Sequence, residues 1–212
     1  MTRKISDSTV RRLSLYLRIL EALEREGIAT VSSEDLAGRS GTTAAQVRKD
    51  LSHFGSFGKR GLGYAVRDLR EHLQRIMGLE RRWRVVLVGA GRIGSALFDY
   101  AGFRSRGFDI VAVLDADASK VGQRWGEVVI GDSASLEDII RRHCVDVAIV
   151  AVPVEAVQGV VDRVVSAGVR GILNFAPTRL RVPEGVALKD VSLVMELEAL
   201  SFSLSRHASL GP

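Results

Sequence analysis

Arg84-Val85-Val86-Leu87-Val88-Gly89-Ala90-Gly91-Arg92-Ile93-Gly94-Ser95-Ala96-Leu97 decides how this chain folds. A run of apolar, largely β-branched residues passes directly into Gly89-x-Gly91-x-x-Gly94, and a helical pattern follows at once. A dinucleotide fingerprint requires that order: strand, tight glycine turn, helix N-terminus. Gly89 permits the turn, Gly91 lets a pyrophosphate approach the backbone, and Gly94 lets the helix lie on the strand. Ala90, Arg92 and Ile93 complete the loop. Free N–H groups and the helix dipole at this point favour an anion. A second strand, Asp109 to Leu114, ends in Asp115. An acid about 20 residues beyond the glycines is placed to hold a ribose 2′-hydroxyl. Glycines in this spacing also mark ordinary turns, and it is the flanking strand, helix and acid that favour a binding loop.

Outward from the loop the alternation continues. A short strand near 128–130 is followed by a helix from Leu136 to His143. An apolar strand over 145–152 runs into Pro153, a helix spans Val154 to Ala167, and a further strand covers Gly171 to Phe175. Apolar strands alternating with helices predict a Rossmann-like, doubly wound parallel sheet. Val152, Pro153, Asn174, Phe175 and Ala176, with Pro177, are then the residues expected to line the nicotinamide end of a dinucleotide. None of them is a carboxylate. Burying the positive ring of NAD+ there without a partner is costly, so the neutral ring of NADH should bind better.

The first part of the chain is different. Residues 1–83 hold sixteen Lys and Arg against ten Asp and Glu, a net of +6, whereas residues 84–212 carry a net of −1. A basic half joined to a neutral half suggests a nucleic-acid partner for the first half only. Val10, Leu13, Leu17 and Leu20, widened by Tyr16 and Leu23, predict an amphipathic helix from Ser8 to about Arg25, ended by Gly27. Ser32-Ser33-Glu34-Asp35 opens a second, short helix, and Thr42 or Thr43 caps a third. On that third helix Ala44, Val47, Leu51 and Phe54 share the inner face. Gln46, Arg48, Lys49 and Ser52 look outward.

A helix-turn-helix with such an outer face suits a DNA major groove, where Lys and Arg meet phosphates or guanine and Gln46 can pair with adenine. The glycine-rich segment 55–64, with Lys59-Arg60 at its tip, reads as a basic wing that reaches a minor groove. A helix from Asp68 to about Met77 closes this unit. The expected division is 1–78 for a winged-helix domain, 79–190 for a dinucleotide-binding domain, and 191–212 for a C-terminal helix and tail. In that last helix Leu193, Leu197, Leu200 and Leu204 form one line, spread further by Val194, Met195, Ala199 and Phe202. A helix this apolar is covered on more than one side, and a second subunit is the natural source of the cover.

Several blocks resemble the bacterial redox-sensing repressor family Rex. They are Tyr16-Leu17-Arg18, Gln46-Val47-Arg48-Lys49-Asp50-Leu51-Ser52-x-Phe54-Gly55-x-x-Gly58, Gly61-x-Gly63-Tyr64, the glycine loop with Tyr100, and Gly171 to Pro177. They occur in order over nearly the whole chain. The resemblance implies a winged-helix domain that binds two-fold operator DNA, a Rossmann domain that binds NADH, and a homodimer exchanging C-terminal helices. It further implies repression that is relieved when NADH rises relative to NAD+, the weaker-acting ligand. Arg18, Tyr100 and an acid near the start of the last helix are implied to form a polar switch. Asp190 and Ser192 are the positions available for that third role.

A small NAD-dependent dehydrogenase is the rival reading, and it needs a proton donor or acceptor beside the nicotinamide. None of the four histidines, His53, His72, His143 and His207, follows a strand where that ring would lie. A nucleotide-binding subunit without a DNA role would leave Lys49, Lys59 and Arg60 unexplained. No Cys, His and carboxylate cluster has metal-ligand spacing. Cys144, the single cysteine, is read as buried and inert. With no signal-like N-terminal stretch and a mean hydropathy of +0.12, the expected location is the cytoplasm.

Overall fold

A computed structural model describes residues 5–58 and 62–208. The chain divides into two compact units, Met1–Arg81 and Arg82–Pro212.

The first unit is helical. Helix α1 (Asp7–Arg25) starts at Ser6, whose hydroxyl accepts from the Thr9 N–H. It is followed by strand β1 (Thr30–Val31), α2 (Ser33–Ser40), α3 (Ala44–Ser52), β2 (Tyr64–Ala65) and α4 (Val66–Ile76). Ser32 and Thr43 are the N-caps of α2 and α3, accepting from Asp35 N–H and Gln46 N–H. Side chains in that role satisfy backbone donors that the helix cannot. Leu13, Tyr16, Leu17, Leu20 and Leu23 of α1 pack with Leu36, Val47, Leu51, Leu69 and Leu73 into one core. Val10, expected on that face, is instead 43% exposed. In the first two turns the inner positions are taken by the buried Thr9 and by Arg12, which pairs with Asp50 of α3. The partner of β2 is β1, paired antiparallel with Val31 opposite Tyr64. Tyr64 and Ala65, at the end of the glycine-rich segment, are therefore paired with the strand that follows α1.

The second unit is a seven-stranded sheet in the order β5-β6-β4-β3-β7-β8-β9. Its strands are β3 (Trp83–Val88), β4 (Phe108–Asp115), β5 (Arg124–Trp125), β6 (Val128–Asp132), β7 (Val147–Val150), β8 (Gly171–Asn174) and β9 (Ala187–Asp190). Every pair is parallel except β5 with β6. The connecting helices are α5 (Arg92–Phe98), α6 (Ala101–Ser105), α7 (Leu136–His143) and α8 (Val154–Ser166). Two apolar clusters contain the buried residues of this sheet, and Val85 to Val88 of β3 contribute to both. Strands covered on both sides are apolar without alternation, as β3 is. From β3 the chain runs outward to β4 and β6, then returns beside β3 with β7. The order reverses between β3 and β7, so the crevice at their carboxyl ends is a topological switch point, where such sheets bind ligands.

Cys144 departs from expectation. It is exposed, and it ends α7 in a left-handed conformation with φ of 48°. It is the helix C-cap, ahead of the strand and outside its buried run.

The last helix, α9 (Leu193–Ala208), adds nothing to either apolar cluster of its unit. Leu193, Val194, Met195, Leu197, Leu200, Phe202 and Leu204 are 56–71% exposed.

Candidate functional site

The glycine loop leaves β3 at the switch point. Gly89 has φ of 104°, and a Cβ there would lie 2.4 Å from the Ala151 carbonyl oxygen, because the loops after β3 and β7 run against each other. A Cβ on Gly94 would sit 1.9 Å from the Gly89 oxygen, so α5 rests directly on the turn. Gly91 is the opposite case: a Cβ there would meet nothing within 4 Å. The space beside Gly91 is open, while the chain itself requires glycine on either side. No side chain caps α5, which begins beside Gly91.

Asp115 ends β4 beside the loop. One carboxylate oxygen accepts from Ala90 N–H at 2.7 Å and from Lys120 Nζ at 3.1 Å, and the other accepts from Asp117 N–H at 2.8 Å. Burial pushes this carboxyl up, but the Asp117 and Ala90 amides and the Lys120 ammonium outweigh it and hold it below the usual carboxylate range. It is an ionised acceptor with a fixed orientation. Val152 and Pro153 follow β7, and Phe175 and Ala176 follow β8, all on the same carboxyl edge. These groups fit a dinucleotide: open backbone for the pyrophosphate, an acid for a ribose diol, an apolar end without carboxylates for the nicotinamide.

In the first unit α3 carries its outward residues unequally. Lys49, Ser52 and His53 are exposed. Arg48 is exposed but engaged, donating to Ser33 Oγ at 2.7 Å and Glu34 Oε1 at 3.1 Å. Gln46 is half-buried, with Nε2 donating to Asp50 Oδ1 at 2.8 Å. Lys59 and Arg60 lie outside the described residues.

Residues 4–52 match the family described as putative DNA-binding protein N-terminus, and residues 80–178 match the CoA binding domain family. The chain is 50% identical over 203 residues to the redox-sensing transcriptional repressor Rex of Carboxydothermus hydrogenoformans, covering 96% of this chain and 98% of that one. It is 46% identical to the Streptomyces coelicolor Rex repressor, over 98% of this chain and 80% of that one. The chain belongs to the Rex family. Two solved Rex-family structures match it from end to end. The repressor RSP with β-NAD+ and operator DNA is 35% identical, with a TM-score of 0.92 over 97% of this chain and 94% of that one. RSP with β-NADH is 34% identical, with a TM-score of 0.87 over 96% of each chain.

Other expected site residues of this Rex-family chain fall in different settings. Asn174 is wholly buried. Its Nδ2 donates to the Ala176 carbonyl and to Asp190 Oδ1, and its Oδ1 accepts from Ala176 N–H. It braces the loop after β8 and ties it to the end of β9. Ser192 accepts from Met195 N–H at the start of α9. Tyr100 is exposed and packs edge-on against Phe103, and Arg18 is exposed on α1. Sequence reasoning missed Lys120. Its signal, a lysine five residues after the strand-ending acid, has meaning only once the turn through Asp117 and Ser119 is formed. It also passed over Asp50, which reads as one more charge in a basic block and turns out to be buried.

Proposed function

We propose that this chain is a homodimeric repressor that binds two-fold operator DNA when NADH is low and releases it when NADH occupies the glycine-loop crevice. The observation that carries the reading is the end-to-end match to a Rex-family repressor solved both with β-NADH and with β-NAD+ and operator DNA. The pairing in one chain of an open dinucleotide loop with a basic helix-turn-helix supports it. The cofactor set is Gly89, Ala90, Gly91, Arg92, Ile93, Gly94, Asp115, Val152, Pro153, Phe175 and Ala176, with Asn174 bracing the loop. Lys49, Arg48, Ser52 and Gln46, with Lys59 and Arg60, form the DNA set. Arg18, Tyr100 and either Asp190 or Ser192 form the switch.

NADH acts here as an effector. His143 ends α7, at the amino end of β7 and therefore at the edge opposite the cofactor crevice. His53 and His72 belong to the DNA-binding unit. None of these three histidines is positioned for hydride chemistry, and the protein is read as a regulator acting beside its DNA in the cytoplasm. Among the described residues no helix is long and apolar enough to cross a membrane, and no metal-holding cluster is found.

The exposed apolar face of α9 supports a second copy as its cover. A groove of about 1300 Å³ in the second unit, where Phe98, Tyr100, Phe103 and Phe108 stand among charged residues such as Arg104 and Asp109, offers a mixed apolar and polar receiving surface. It lies at the amino ends of β3 and β4, away from the glycine loop. Retention of the full-length protein on genomic DNA fragments, with and without NADH, tests the reading. Fragments held without NADH and released with it are expected, and no retention in either condition would refute it.

A further inference from the structure

Asp50 is the only buried carboxylate among the described residues, at 1% exposure, and it sits in the last turn of α3, the recognition helix. Buried carboxylates persist only when fully paired. Here Arg12 of α1 donates Nε to Oδ2 at 2.6 Å and a guanidinium NH2 to Oδ1 at 2.8 Å. The Tyr16 hydroxyl donates to Oδ2 at 3.0 Å and Gln46 Nε2 to Oδ1 at 2.8 Å. Each oxygen thus receives two donors, which fills the acceptor capacity of a carboxylate. Burial pushes the Asp50 carboxyl up, but Arg12, Gln46 and Tyr16 outweigh this and keep it below the usual range. The same burial beside Asp50 pushes the Tyr16 hydroxyl up to about 12. Near neutral pH the carboxylate is therefore an acceptor and nothing else.

That fixes the amide of Gln46. Nitrogen and oxygen of a glutamine are told apart by their partners, and an acceptor-only neighbour demands the nitrogen. Oε1 is left as the second polar end, and it accepts from none of the described residues. We infer that Asp50 is a positioning residue which polarises Gln46, so that α3 presents a carbonyl acceptor to the major groove and selects a base carrying an amino group there. This rests on the DNA-binding reading above. In the major groove adenine N6 and cytosine N4 donate, whereas guanine O6 and thymine O4 accept. Gln46 held in this way favours adenine or cytosine and opposes guanine and thymine at one position of each half-site. A free glutamine would turn over and tolerate all four.

The test is selection from a randomised duplex library with the full-length protein in the absence of NADH, for wild type, Gln46→Ala and Asp50→Asn. Wild type should prefer adenine or cytosine at one position of each half-site by about tenfold. Gln46→Ala should lose that preference alone. Asp50→Asn, checked for folding of the first unit by its helical circular dichroism and thermal melt, should flatten it, because an asparagine amide can accept or donate and lets Gln46 turn. Which base is selected separates the adenine and cytosine cases. An operator carrying purine in place of adenine, or 2-pyrimidinone in place of cytosine, removes the amino group without any protein change. It should weaken wild type about tenfold and leave Gln46→Ala unaffected, and this arm decides if Asp50→Asn does not fold. A selection profile unchanged by Gln46→Ala, a folded Asp50→Asn that keeps the preference, or indifference of wild type to the missing amino group would each overturn the inference. No duplex retained by wild type would instead defeat the DNA-binding reading itself.

Discussion

Gly91 and Gly94 stand three residues apart in the same loop and serve opposite needs. Gly94 is required by the fold, since its missing Cβ would collide with the Gly89 oxygen at 1.9 Å. Gly91 faces open space and its φ of −85° suits any residue. Gly94→Ala should therefore destabilise the dinucleotide unit by about 1–3 kcal/mol, the usual cost of overpacking. Gly91→Ala should leave the melting temperature unchanged and still weaken NADH binding, because the methyl group occupies the pyrophosphate's space. Thermal melts with NADH titrations check both. Equal loss of stability in the two variants would contradict the division of roles. Asp115→Ala should weaken NADH and narrow the gap to NADPH, and the structure strengthens that expectation. Once the carboxylate is gone, the Lys120 ammonium that it held at 3.1 Å is free to meet a 2′-phosphate. Titrations with both cofactors decide it, and a wild type that binds NADPH as tightly as NADH would remove Asp115 from the ribose.

At the level of elements, α7 and α8 are held together by Glu137 and Arg163, which form two bonds of 2.6 Å. Arg163 holds the Glu137 carboxyl down to about 2, against an ordinary value of 4.5. A carboxyl depressed in the folded state stabilises fully above its unfolded pKa and loses that contribution as the pH falls through the folded one. The melting temperature should accordingly drop between about pH 4.5 and 2. Glu137→Gln should lower it near neutrality and flatten that part of the profile. A variant with the wild-type acid profile would show that the pair adds nothing.

The elements legible in the sequence were those with a strong period, a clear cap or an unambiguous run: α1 to α5, α7 to α9, and the strands β3, β4, β6, β7 and β8. Strand β9, Ala-Leu-Lys-Asp, has no β-branched residue and forms only because β8 offers it an open edge. Strand β5 is two residues long and exists only through its pairing with β6. The cofactor edge was readable because glycine spacing and a strand-ending acid are local signals. Lys120, the brace at Asn174 and the pairing of Arg12 with Asp50 join residues far apart or across a turn. Nothing in the order of residues records such contacts. Cys144 was misplaced because the first of the three residues between α7 and β7 reads equally well as part of helix or strand.

For the whole molecule, α9 is the element whose energetics one chain leaves incomplete. Seven large apolar side chains exposed on one helix form a surface of the kind that marks an interface. Leu197→Asp with Leu204→Asp should leave each chain folded, since both side chains are already exposed, while dissociating the proposed dimer. Sedimentation or light scattering reads the mass directly, and an unaltered dimer would put the interface elsewhere. Truncation before Val191 should likewise give monomers that bind NADH weakly and no longer respond to it on DNA.

The glycine loop and the recognition helix belong to separate units, so one small ligand is not expected to compete with DNA for the same atoms. Release is expected to act through the spacing of two recognition helices on a two-fold operator, which demands half-sites whole helical turns apart. Taking such an equilibrium from almost all bound-competent to almost all released requires a ligand preference of about 5.5 kcal/mol, which two NADH molecules per dimer would share. Coupling of this kind is reciprocal. NADH titrated into the full-length protein with and without operator duplex therefore tests the account most directly. Operator should weaken NADH binding by the same factor by which NADH weakens operator binding, and identical NADH affinity in the two titrations would contradict it.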